Sequence, residues 1–393
     1  MFIIILGFII SLAAILIISR KNLALAIISG AILLGLFTLP LSGLWDQLIY
    51  TVTDISIILL SLAMALIPLI GGVMKESRQI DDLVYNVRLK KKYLLPFSAA
   101  LMGLLPMPGG ALLSAPILER AGQGVDRALI AAINNWFRHL FILIYPLAPA
   151  LIVATNISDL DVYQALIYIL PAAVAALILG YVFFLRHVEG DFDRPERFSA
   201  RRLLVPLTVI LSAPILDFTL KRIFDLGSLA TLIGVSTGLI LSIVLSRTKL
   251  NLTLIIRNMK PWNFGLIIFG MFLYLHIFQQ SGVGALIERL PLPPLLLAVI
   301  AGFILSLLTG RVQLPASIIL PVYLSSAGEI TPLLFALIYV SMYFGYIISP
   351  VHPCLVVTCQ YFHITIRKMI CELAVPTVVV FALTLLITLL IIC

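Results

Sequence analysis

Arg138 and Arg311 are the two basic side chains that fall inside long apolar runs, and the chemistry they offer is the binding of an anion. A guanidinium presents fixed donors that grip a carboxylate or phosphate through two parallel bonds. Asn134 precedes Arg138 by four residues and Asn135 precedes His139 by four, so on a helix they form adjoining polar stripes. Arg138 lies about 12 residues from the nearest basic loop, or ~18 Å at helical rise, too deep for its head to reach water easily. A charge at that depth faces a cavity or a partner, and no acidic residue lies in the same helix interior. Arg138 is therefore either a ligand for an anionic substrate or a carbonyl-bonded group that locks a neighbouring hairpin. Arg311 stands with Thr309, Gly310 and Gln313 in a second such segment. It reads as a substrate ligand if that segment dips into the membrane, and as a solvated side chain if it does not.

A second group of residues suits ion coupling. Tyr145-Pro-Leu-Ala-Pro149 and Ser349-Pro-Val-His-Pro353 each place two prolines in an apolar run, deleting backbone donors and freeing carbonyls. The freed groups around Pro146, Ala148, Pro149, Pro350 and Pro353, with the hydroxyls of Ser114, Ser317 and Ser349, are oxygen ligands for a hard cation such as Na+. His352 is either a titrating group that couples protons or a hydrogen-bonded structural histidine. Pro108, Gly109 and Gly110 form a turn whose backbone can approach a ligand closely. Acidic residues are confined to loops and helix ends, which leaves a carboxylate relay unsupported. No resident cofactor or metal is expected, and Cys354, Cys359, Cys371 and Cys393 read as small buried hydrophobes with neither disulfide nor metal spacing.

The elements that must position these residues follow from composition. The chain of 393 residues is 62% hydrophobic and 11% charged with a mean hydropathy of +1.16, outside the range of soluble domains. Its net charge of +8 is spread over short loops, which speaks for membrane topology and against a nucleic-acid-binding face. Spans of bilayer length lie at 2–19, 22–39, 54–73, 126–155, 162–185, 202–219, 228–246, 262–279, 329–358 and 373–393. Two further segments, 94–118 and 295–324, are interrupted near their middles and read as re-entrant hairpins. On this assignment Lys221, Arg222 and Arg289 fall on one side and Arg138 and Arg311 inside, leaving 21 of 26 basic residues on the other. Counting either hairpin as a full crossing destroys that asymmetry. Both termini then face outward, and the first run reads as a retained helix.

The chain also resembles itself. Residues 145–155 align without gaps on 349–359 at a shift of 204, with four of eleven positions identical and both prolines among them. Each half reads helix, helix, helix, hairpin, proline-broken helix, helix. Five crossings per half is odd, so the second copy is inverted. The expected fold is an all-α polytopic membrane protein of two inverted repeats, each with one hairpin and one broken helix. The first repeat spans 1–190 (hairpin 94–118, broken helix 126–155) and the second 191–393 (hairpin 295–324, broken helix 329–358).

Leu105-Pro-Met-Pro-Gly-Gly-Ala-Leu-Leu-Ser-Ala-Pro116, Thr309-Gly-Arg-Val-Gln-Leu-Pro-Ala-Ser317 and Ser349-Pro-Val-His-Pro353 carry a resemblance to a known group. The chain resembles the ion transporter superfamily and, within it, the prokaryotic domain-of-unknown-function 401 membrane family. The resemblance implies elevator-like transport of a small organic ion and allows a homodimer. Together these readings predict a sodium- or proton-coupled secondary transporter of a small organic anion, in the plasma membrane and not an enzyme. A lipid or lipid-phosphate translocase on the same fold is the alternative. No G-x-x-x-x-G-K-[ST] loop for ATP and no H-E-x-x-H metalloprotease helix is present.

Overall fold

The computed structural model describes residues 1–104, 110–186, 188–190, 198–287 and 293–392, and all regular structure among them is helical. The first half contains α1 (Phe2–Ile18), α2 (Leu23–Thr38), α3 (Leu41–Thr53), α4 (Ile55–Glu76), α5 (Gln79–Asn86), α6 (Lys91–Gly103), α7 (Gly110–Ala121), α8 (Arg127–Leu143), α9 (Pro149–Ile157) and α10 (Val162–Gly180). A π-helical turn, Tyr181–Leu185, prolongs α10. The second half contains α11 (Ala200–Phe224), α12 (Gly227–Val244), α13 (Leu252–Met259), α14 (Pro261–Gln280), α15 (Val283–Ile287), α16 (Pro294–Thr309), α17 (Gln313–Ala327), α18 (Pro332–Ile347), α19 (Pro353–Phe362) and α20 (Ile366–Ile392). Among the described residues, six helical stretches are long and apolar enough to cross a bilayer: 55–76, 162–185, 200–224, 227–244, 252–280 and 366–391. The protein is a multi-pass membrane protein.

Helix starts are written in the sequence. The side chains of Asn22, Asp54, Asp126, Asp161, Asn251 and Thr331 accept hydrogen bonds from first-turn amides of α2, α4, α8, α10, α13 and α18. Proline opens α9, α14, α16, α18 and α19, where its missing N–H would have had no helical partner anyway.

Four helices, α3, α5, α13 and α15, have no counterpart among the predicted spans. α3 exposes Leu41, Trp45 and Ile49 along one stripe, and α13 exposes Leu252, Leu254 and Ile256 while burying Ile255 and Met259 against Gly72 of α4. Both are amphipathic and too short to cross. Such helices lie along the membrane surface.

The helices pack in two groups. α1, α2, α14, α4, α12 and α11 follow one another in a row, each against the next. The paired helices α6–α7, α8–α9, α16–α17 and α18–α19 form the second group with α10 and α20. α14 joins the groups by packing on α17 and α9. Within the second group the pairing is crossed: α7 lies against α19, and α17 against α9. A buried carboxylate pins the row to α10. Asp217 accepts from Tyr163 Oη (2.5 Å), Thr231 Oγ1 (2.6 Å) and Lys221 Nζ (3.0 Å).

Candidate functional site

The helix breaks are built alike. At the first, the Tyr145 N–H donates to Ile142 O (3.2 Å) and the Ala148 N–H to Tyr145 O (2.9 Å). At the second, the Ser349 N–H donates to Tyr346 O (3.2 Å) and the His352 N–H to Ser349 O (3.1 Å). In each turn the first proline, Pro146 or Pro350, occupies the position where its fixed φ is wanted. The second, Pro149 or Pro353, is the first residue of the next helix. The prolines thus shape a turn between two helices and do not interrupt one from within.

Polar groups around the breaks are cross-linked through the bundle. The Ile347 carbonyl, last in α18, accepts from Asn135 Nδ2 of α8 at 3.3 Å. Ser349 Oγ donates to the Leu307 carbonyl near the end of α16 (2.6 Å), and Tyr343 Oη donates to the His139 carbonyl of α8 (2.7 Å). Asn134 Nδ2 donates to Thr358 Oγ1 of α19 (3.3 Å). Asn134, Asn135, Arg138 and His139 are all buried, and the guanidinium of Arg138 lies against Gly110 at the start of α7. Among the described residues Arg138 Nε and Nη1 and the side-chain oxygens of both asparagines have no hydrogen-bond partner.

Arg311 occupies a different place. It lies between α16 and α17, after Gly310, whose φ of +62° ends α16 in the left-handed region that glycine tolerates. Arg311 and Gln313 line a cavity of ≈250 Å³ with Pro149, Lys21, Asn22 and Asn263. The cavity sits at the seam between the two groups, walled by α2 and α14 on one side and by the starts of α9 and α17 on the other. Among the described residues, Lys21 and Arg311 are the charged residues in its wall, and no carboxylate lines it. A helix start presents unpaired amides and a partial positive charge, so two of them beside a guanidinium make an electropositive pocket. The recess of ≈320 Å³ nearer α11 and α12 differs, because Asp161 and Asp225 balance Lys221 and Arg222 in its wall. Arg222 is paired with Asp161 at 2.9 Å.

Of the residues singled out from sequence, the cavity therefore unites Arg311, Gln313 and Pro149, while Asn134, Asn135 and Arg138 lie outside its wall. Thr309 Oγ1 and the hydroxyls of Ser114 and Ser317 donate to carbonyls of their own helices, Leu305, Ala111 and Leu314. Gly310 packs on the backbone of His352, and Ala148 is buried. Pro146 is half-buried, whereas Pro350 and Pro353 are exposed. Pro108 and Gly109 lie outside the described residues. Lys21, Asn22 and Asn263 were not legible as cavity residues; the helix-capping role of Asn22 was their nearest signal.

The family model described as protein of unknown function, DUF401, matches residues 3–392. The chain belongs to that family. It also shares its fold with the YdaH transporter of Alcanivorax borkumensis, at 17% identity and a TM-score of 0.61. That likeness covers 89% of this chain and 88% of the other. No curated protein sequence matches at a significant level.

Proposed function

We propose that this DUF401 protein is a secondary transporter of a small organic anion and that Arg311 binds the anion. The observation that carries the proposal is the cavity that joins Arg311 and Gln313 to the starts of α9 and α17 with no acid among the described residues of its wall. In transporters built on discontinuous helices, half-helix starts face anionic substrate groups while unwound carbonyls take the coupling cation. Half-helix starts and turns that break helices are both present here, on a fold shared with a transporter, and they support this reading. The volume of ≈250 Å³ suits a molecule of a few carbons.

In this reading the side rich in basic loops is the cytoplasmic side of the plasma membrane, and the cavity, reached past Lys21 and Asn22, opens inward. Both termini face outward. The crossed pairs α6–α9 and α16–α19 belong to two inverted repeats and move as one body against the row of six helices, with Na+ or protons as the coupling ion. The broken-helix residues Pro146, Ala148, Pro149, Ser349, Pro350, His352 and Pro353, with Ser114 and Ser317, surround the coupling site. Asn134, Asn135 and Arg138 hold the two broken helices and hairpin in register beside the substrate.

Purified protein in liposomes, screened with labelled small carboxylates, organophosphates and short-chain lipid phosphates under sodium and proton gradients, tests this. Gradient-driven uptake of a soluble anion is the expected result. Movement of lipid phosphates alone would replace it with a lipid translocase.

A further inference from the structure

Three metal-binding donor atoms, two imidazole nitrogens and one sulfur, converge where the two broken helices meet. The ligand atoms of His139, His352 and Cys354 lie within 4.8 Å of one another. Bonds of about 2.0–2.3 Å arranged trigonally separate ligand atoms by roughly 3.5–4.0 Å, so a small rotation of side chains closes the set. His139 and His352 are fully buried, and their rings meet edge to face at 4.6 Å between centroids.

The protonation of His139 follows from its neighbour. Its Nδ1 lies 2.5 Å from the Asn135 carbonyl, which can only accept, so Nδ1 carries the proton and Nε2 presents a lone pair. That is the outer hydrogen bond by which proteins orient a metal-binding imidazole. Nε2 itself is buried with no partner among the described residues, and the same holds for both ring nitrogens of His352. Cys354 is the second residue of α19 and brings its sulfur to the same turn.

We propose that His139 Nε2, a ring nitrogen of His352 and Cys354 Sγ form a three-donor site for one Cu(I) ion. Thiolate takes Cu(I) and Zn2+, and imidazole suits both copper and zinc, so the donor set narrows the choice to these two. Charge then chooses between them. Arg138 precedes His139 in the chain, and Gly310, which precedes Arg311, packs on the His352 backbone. A monovalent ion with one thiolate adds no net charge beside these two arginines, whereas Zn2+ adds one and seeks a fourth ligand. The ion ties α8 to the turn between α18 and α19, and through Gly310 it steadies the segment that carries Arg311. The site does not depend on the identity of the transported anion.

The test uses full-length protein carrying Cys359→Ala, Cys371→Ala and Cys393→Ala, so that Cys354 is the one remaining thiol. Under anaerobic reducing conditions, titration with Cu(I) against a chromogenic chelator is expected to give one tightly held ion per chain. X-ray absorption should report two nitrogens and one sulfur. Cys354→Ala and His352→Gln should each weaken binding at least tenfold while leaving the metal-free melting temperature within a few degrees. If either variant misfolds, the ligand set seen by X-ray absorption in the parent decides alone. Absence of stoichiometric copper, a coordination sphere without sulfur, equal affinity in Cys354→Ala, or equally tight Zn2+ binding would each overturn the proposal.

Discussion

Gly110 and Arg138 touch: the guanidinium of α8 rests so closely on the first residue of α7 that a methyl group at Gly110 would overlap Nη2. A few residues earlier, Gly103 stands equally close to the carbonyl oxygen of the same Arg138. One residue of α8 is thus fixed by two glycines of one hairpin, and the two contacts differ in what can give way. Gly103→Ala meets backbone and should cost about 2 kcal/mol, as overpacking does, with a clear fall in melting temperature. Gly110→Ala meets the end of a flexible side chain and should melt near wild type while displacing Arg138. Melting curves of the two variants side by side check this.

Asp217 is the buried anchor of α10 and the helix row. Its carboxylate holds Tyr163, Thr231 and Lys221 together. Asp217→Ala leaves Lys221 and the Thr231 hydroxyl without their acceptor, and Tyr163 with the Pro214 carbonyl alone, and should destabilise the protein by about 3 kcal/mol. Lys221→Met, which keeps the stem of the side chain, should cost less because Tyr163 and Thr231 still satisfy the carboxylate. Thermal melting in detergent ranks them.

Tyr343 Oη holds the His139 carbonyl at 2.7 Å, one of the cross-links between the broken helices. Tyr343→Phe leaves a buried carbonyl without that donor and should cost about 1–2 kcal/mol. Hydrogen exchange should rise in α8 and α18 together. A rise confined to α18 would show that the link does not couple them.

The second proline of each break opens a helix, and its backbone nitrogen would have had no helical partner. Pro149→Ala and Pro353→Ala should therefore cost under about 1 kcal/mol. A loss of several kcal/mol in either would mean that the proline itself, and not the turn before it, sets the break.

Much of this architecture was legible because membrane burial writes itself in long apolar runs. The breaks at 144–148 and 348–352 were visible in paired prolines, though the sequence suggested helices disrupted from within where the structure has a turn followed by a proline-started helix. α3 and α13 went unread because they carry a stripe of apolar residues and not a run of them. The cavity was half legible. Arg311 declared itself by the cost of placing a charge there, but Lys21, Asn22 and Asn263 reach it only through the packing of α2 and α14, which no local pattern encodes. Asn134 and Asn135 stood out by the same cost argument. Residue type could not say that their amides would be engaged by Thr358 and the Ile347 carbonyl, more than 200 positions away.

The central claim is that Arg311 binds the transported anion, and uptake by Arg311→Ala in liposomes measures it most directly. Removing a guanidinium from a charge-assisted pair costs roughly 1.5–3 kcal/mol, or about 10–100-fold. Uptake of the anion at low concentration should fall by at least tenfold, partly restored in Arg311→Lys, with the melting temperature of the unliganded protein retained. Wild-type uptake by a folded Arg311→Ala protein would contradict the account.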